Sequence, residues 1–199
     1  MNSWKRERRK QAGGFSLTEA VVAIAVAMIL MAIGMPSFLR AYHAYQLTTA
    51  ASQLSDILRL TRYEAIRQNK NISCVIKPDA IDPTRTDAFA DVNGDTLPGP
   101  TEKIILLGPG GNIVDAGGVP GTAALLTKAN VTSGTAFATP GNMTVGFDSR
   151  GAVATGNVTV FCVASTQSPE AGYRAVLLMP AGSIQIWSGD TTGSWIQLR

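Results

Sequence analysis

A single carboxylate, Glu19, stands at the head of twenty consecutive uncharged, mostly apolar residues, Ala20 to Leu39. An unpaired acid drawn into a bilayer costs on the order of 2–3 kcal/mol on insertion scales. A plain anchor has no use for that acid, so Glu19 calls for a cation. The sequence supplies one only if the chain is cut. Gly13-Gly14-Phe15 lies just upstream, and two glycines let the backbone lie extended in a protease site. Hydrolysis after Gly14 would leave a free ammonium on Phe15, one helical turn from Glu19.

Other residues with chemical potential are few. His43 is the only histidine, which leaves a Ser-His-Asp triad or a histidine metal site little to build on. With Tyr42 and Tyr45 it reads as an interfacial residue just past the apolar run. Asp91, Asn93, Asp95, Leu97 and Glu102 match calcium-loop positions 1, 3, 5, 7 and 12. The loop's glycine belongs at the sixth position, where Thr96 stands, and Gly94 comes too early. No helical pattern flanks the stretch, so a turn is favoured over a calcium site, and no metal is expected. The two cysteines, Cys74 and Cys162, lie in strand-like runs. In an oxidising compartment they would be bridged if the strands are neighbours, and otherwise buried separately as thiols.

The elements that position these residues can be read from hydropathy. Twenty helical residues span roughly 30 Å, the thickness of a bilayer's hydrocarbon core. An ordinary secretory signal peptide has a shorter apolar region ending in a small-x-small cleavage site. Here Ala32-Ile33-Gly34 lies inside the run instead of closing it. Residues 1–14 hold five basic side chains against Glu7, and removing them from the chain's 17 basic and 14 acidic residues leaves 12 and 13. The basicity is therefore an N-terminal tag that keeps its end in the cytoplasm and sends the rest outward. The chain beyond the tag is near neutral, which gives no general electrostatic reason to bind nucleic acid.

From Arg40 to about Asn69 there is neither glycine nor proline. Leu47, Ala51, Leu54, Leu58 and Ala65 recur at helical spacing, with Ile57 and Ile66 alongside, so one helix is predicted from about Ser16 to Gln68. The pattern then changes to alternation. Strands are predicted at 72–77, 103–107, 144–147, 158–163, 173–179 and 183–187, separated by turn-rich stretches. The Gly/Ala/Thr-rich segment 108–142 reads as a surface excursion. One long helix succeeded by strands indicates an α+β domain, with an antiparallel sheet covering the helix's apolar face.

Gly13-Gly14-Phe15-Ser16-Leu17-Thr18-Glu19 resembles the class III signal of type IV prepilins and type II secretion pseudopilins, and the match extends over about twenty-five residues to Pro36, the family's helix-kinking proline. The resemblance implies cleavage after Gly14 by a membrane-embedded prepilin peptidase, methylation of Phe15, and use of Glu19 and Pro36 in assembly. Leu58 to Asn69 resembles the signature that ends the long helix in the GspH/FimT family, with Tyr63 where serine is usual. The Asp91–Glu102 stretch is similar to a hairpin turn of the same family. Some FimT-type minor pilins contact DNA through a C-terminal Gly-Arg-x-Arg motif, but here the corresponding turn reads Gly182-Ser183-Ile184-Gln185, without either arginine.

A type IV pilin-like chain with four regions is therefore expected. These are a cytoplasmic leader (1–14), a transmembrane assembly helix (15–39), its amphipathic continuation (40–69) and a β-rich periplasmic domain (70–199). The resemblance implies a structural minor pilin or pseudopilin of a type II secretion system or type IV pilus, with no enzymatic activity and no cofactor. It would be held in the bacterial inner membrane by a single pass. Its partners would be other pilins, the prepilin peptidase and the inner-membrane assembly platform. The alternative is a membrane-anchored DNA-uptake protein or another periplasmic ligand-binding module.

Overall fold

The computed structural model describes residues 16–100, 102–108, 110–131 and 134–198. Helix α1 runs from Leu17 to Gln68. The described residues divide after Leu39 into two compact units. In the first, α1 carries the apolar run and no other described residue covers it: Ile24, Ile29, Leu30 and Ile33 are all exposed. Pro36 sits within the helix and removes one backbone donor from its ladder.

In the second unit, α1 from Arg40 onward buries one face. Leu47, Ala51, Leu54, Leu58 and Ala65 are fully buried, with Ile57 beside them, as their spacing predicts. Ile66 differs. It is exposed on the flank because its position falls outside the arc that the strands cover. The helix stops in left-handed geometry at Asn69, with Lys70 N–H donating to the Ala65 carbonyl and Asn69 N–H to that of Ile66. This is the Schellman arrangement, which satisfies the last carbonyls.

Two sheets clasp this face. The first has β1 (Ile72–Pro78), β2 (Thr86–Asp91), β3 (Ile104–Leu107) and β6 (Met143–Phe147), in the order β3-β2-β1-β6, all antiparallel. The second has β4 (Asn112–Val114), β7 (Val158–Ala164), β8 (Tyr173–Leu178), β9 (Ile184–Gly189) and β10 (Trp195–Gln197), in the order β10-β9-β8-β7-β4. Strand β5 (Thr135–Phe137) lies parallel on β7. All six predicted strands are present, but in two sheets instead of one. The joint core places Leu54, Ile57 and Leu58 against Ile72, Cys74 and Ile76 of β1 and against Phe161, Val163, Val176 and Ile186 of the second sheet.

The segment 108–142 is more than a surface excursion. It supplies β4, β5 and helix α2 (Thr122–Lys128). Leu125 of α2 is fully buried with Val160, Cys162, Leu177, Trp187 and Trp195 in a second core. Strand β7 is thus buried on both faces, which explains why Thr159 is its one polar residue. The short strands β4, β5 and β10 hold three residues each, too few to show a period of two. Replacing Leu125 by alanine should destabilise the protein by about 2–5 kcal/mol, as emptying a packed core position does, and denaturant unfolding of the detergent-extracted chain measures it.

Candidate assembly site

Glu19 is exposed in the first turn of α1, where a carboxylate suits the partial positive charge of a helix N-terminus. No cation among the described residues lies within ion-pair distance of it. Gly14 and Phe15, the predicted cleavage and methylation positions, lie outside the described residues. Between Glu19 and Pro36 every large apolar side chain points into open space.

The signature at the end of α1 works as a fastening. Thr61 is buried and donates to the Ile57 carbonyl at 2.8 Å, and Ala65 is fully buried. Arg62 Nε donates to the Gly151 carbonyl at 3.0 Å. Gly182, in left-handed geometry at φ 78°, backs onto the same point: a Cβ there would lie 2.2 Å from that carbonyl oxygen and 2.7 Å from Arg62 Nε. Helix end and two turns are locked together around one guanidinium, and only glycine fits at position 182. Glu64 accepts from Arg67 and Gln68, and the hydrogen bond from Arg67 holds its carboxyl below the usual range. Tyr63 replaces the family's serine without steric cost because its side chain faces outward.

The Asp91 stretch is a turn built on carboxylates. Asp91 Oδ1 accepts from the amides of Gly94 at 2.7 Å and Asp95 at 3.2 Å, and its Oδ2 from Thr96 at 3.2 Å. Asn93 accepts from the Asp95 amide at 3.1 Å and donates to Asp95 Oδ2 at 2.8 Å; Asp95 Oδ1 accepts from Leu97 at 2.8 Å. Glu102 closes the loop by accepting from Val92 and Gly99, each at 2.9 Å. Among the described residues no cluster of three or more His, Cys, Asp or Glu is arranged to hold a metal ion. The acids that a calcium loop would spend on the ion are here spent on backbone amides.

The bridge considered between Cys74 and Cys162 is not formed. Both are buried free thiols. Cys74 is on β1 in the first sheet and faces α1, whereas Cys162 is on β7 in the second sheet. Along β7, Phe161 and Val163 point at α1, so Cys162 between them points at the second core. Burial pushes the Cys74 thiol up to about 12 and the Cys162 thiol up to about 11.

A family model described as type II transport protein GspH matches residues 50–182, more than half of the chain. The chain belongs to the GspH family. A second model, the prokaryotic N-terminal methylation motif, matches residues 9–35. No curated protein matches this chain. Two crystal structures of the type IV minor pilin FimU from Pseudomonas aeruginosa are similar to it. One is 15% identical with a TM-score of 0.48, covering 76% of this chain and 93% of that one. The other is 16% identical with a TM-score of 0.46, covering 75% and 97%. GspH-family membership makes the protein a pilin-like structural subunit with a methylation-type N-terminus.

Two features of this GspH-family domain escape sequence reading. His43 is half-buried, and its Nδ1 lies 2.6 Å from Ser168 Oγ, 125 residues away. It therefore ties α1 to a loop, while Tyr42 and Tyr45 remain exposed. Ser168 is only 2% exposed, so this pair offers no accessible nucleophile. Arg174 is buried against Thr48 and Ala44. Its sequence signal is position: it shares the inward parity of Val176 and Leu178.

Without reductant, an alkylating reagent should label neither cysteine in the native protein and both after denaturation, as intact mass reports. Asp91→Ala leaves the amides of Gly94 and Thr96 without their acceptor and that of Asp95 with Asn93 alone, and should lower stability by about 1–3 kcal/mol. Thermal unfolding of the wild type should not shift between calcium and chelator.

Proposed function

We propose that this chain is a minor pilin or pseudopilin subunit, built into a filament of a type II secretion system or type IV pilus by bundling of α1. Its basic leader keeps the N-terminus in the cytoplasm while the domain from Arg40 onward stands in the periplasm. Prepilin peptidase cuts after Gly14 and methylates Phe15. In the filament the apolar halves of α1 pack on one another, and Glu19 meets the ammonium of Phe15 on a neighbouring subunit. Pro36 gives the helix a point at which its ladder is already open.

The observation that carries this reading is the first half of α1. Twenty uncharged residues stand uncovered, headed by one acid that has no partner among the described residues. Buried apolar surface drives the association, and the single charge pair sets its register, because a misaligned helix would strand Glu19 in hydrocarbon. Nucleic acid does not enter the reading, since the chain after Gly14 is near neutral and the turn at Gly182 carries no arginine.

Mass spectrometry of membrane-extracted protein should show a chain beginning with N-methylphenylalanine; an intact leader would sink the proposal. Glu19→Ala should insert normally yet enter filaments poorly, as crosslinking to neighbouring pilins reads. Wild-type incorporation of that variant would remove Glu19 from the mechanism.

A further inference from the structure

Three guanidiniums beside the end of α1 lack an anion. Arg59 and Arg62 stand three residues apart on the helix, and Arg150 precedes Gly151 in the turn to which Arg62 is fastened. No carboxylate among the described residues lies within ion-pair distance of any of the three. Arg62 is held through Nε by the Gly151 carbonyl, and among the described residues its terminal nitrogens donate to nothing. The backbones of Gly151 and Gly182 close on that Nε, so this guanidinium is fixed in place. The acids closest in sequence are engaged or out of reach. Asp148 Oδ1 accepts from the amides of Arg150 at 2.9 Å and Ala152 at 2.8 Å, and Glu64 is paired with Arg67. Asp56, three residues before Arg59, lies outside ion-pair distance of it.

Two apolar side chains sit among these cations. Tyr63 is 61% exposed and Ile66 is 46% exposed. Arg59, Arg62, Tyr63 and Ile66 are neighbours at three- and four-residue spacing, so they form one patch on the flank of α1. The Gly151 turn borders it: a Cβ at that residue would lie 2.7 Å from Ile66 Cδ1. Arginine and tyrosine around an apolar centre is the composition of an interface hot spot. Charge complementarity then says what covers the patch: a segment that carries carboxylates beside an apolar side chain. A second copy of this chain is a poor source, because Asp79, Asp91, Glu102, Asp148 and Asp190 each accept from amides of their own turns. A nucleic-acid backbone fits poorly as well. It calls for an extended row of cations, whereas the chain after Gly14 is near neutral and Ile66 and Tyr63 interrupt the arginines.

We propose that this patch docks an acidic segment of a different pilin subunit, with carboxylates on Arg59, Arg62 and Arg150 and an apolar side chain against Tyr63 and Ile66. The contact rests on the filament reading above. It adds to the bundling of α1 a side contact that selects a neighbour by its charge. Arg62 is already immobilised by the fold, so pairing it spends little side-chain freedom. Tyr63 stands where the family has serine, and its ring supplies an apolar contact that a serine would not.

The test uses the full-length chain in its own membrane, with photoreactive benzoylphenylalanine in place of Tyr63 or, separately, of Ile29. Irradiation at position 63 should give a discrete adduct with a different pilin-type chain. Mass spectrometry of the crosslinked peptide should place an aspartate or glutamate beside the attachment point. Arg59→Glu together with Arg150→Glu, both at exposed positions, should lower the adduct's yield about tenfold or more. Changing the mapped acid to lysine should then restore it. Arg62 is left intact because it holds the helix end. Rescue supports the contact. An adduct with a second copy of this chain, an adduct that nuclease removes, a mapped peptide without acids, or a yield indifferent to the charge reversal each overturns it. Crosslinking from Ile29 separates the two readings. Pilin adducts from there with none from position 63 overturn only this contact, whereas none from either position overturns the filament reading as well.

Discussion

An apolar stretch of helix that no other described residue covers sets the terms for the whole molecule. Residues 21–39 of α1 are exposed among the described residues and need hydrocarbon around them. Two environments meet that need: a bilayer, or a bundle of like helices. Both are apolar, so moving between them changes little in transfer free energy, and what distinguishes them is packing and the placement of polar groups. On the proposed reading, Glu19 is the polar group that tells them apart. In lipid it is a liability, whereas in a bundle that supplies an ammonium it becomes a pin.

The second half of α1 solves the opposite problem. Its apolar face is narrow, and two sheets close over it so completely that Leu47, Leu54, Ile57 and Leu58 are all at 0% exposure. The end of the helix is secured by polar devices as well as by packing. A Schellman turn at Asn69 and the Arg62 clamp on Gly151 and Gly182 leave it nowhere to slide. The family signature at this point is therefore mechanical: it keeps the domain in one register on the helix.

The second sheet is covered on both of its faces. Segment 108–142 wraps the face turned away from α1 and builds a second core around Leu125, Trp187 and Trp195. One consequence is chemical. Cys162 is sealed in this second core and cannot reach Cys74 in the first, so an oxidising compartment has no bridge to form between them. A second consequence lies at the edge, where coverage ends near β10 and leaves Ile196 and a cavity beside Arg174 open.

The sequence by itself determined whatever is written in short-range order. The uncharged run, the acid at its head, the basic leader, the helix through Gln68 and six strands are all matters of composition and periodicity over a few neighbouring residues. So was the Asp91 turn, whose acids bond amides within eleven positions. Tertiary structure alone decided what depends on distant partners. Strand β2 escapes sequence reading because Thr86-Asp-Ala-Phe-Ala-Asp91 has no apolar–polar alternation and is made a strand by pairing with β1 and β3 on either side. The three-residue strands and α2 gain their stability from what they cover, not from their own pattern. The pairing of His43 with Ser168, the seat of Arg62 between two glycines and the separation of the cysteines are set by which face of a sheet a residue occupies. Parity can be read locally, but the element lying opposite it cannot, because that is fixed only when two sheets close on one helix.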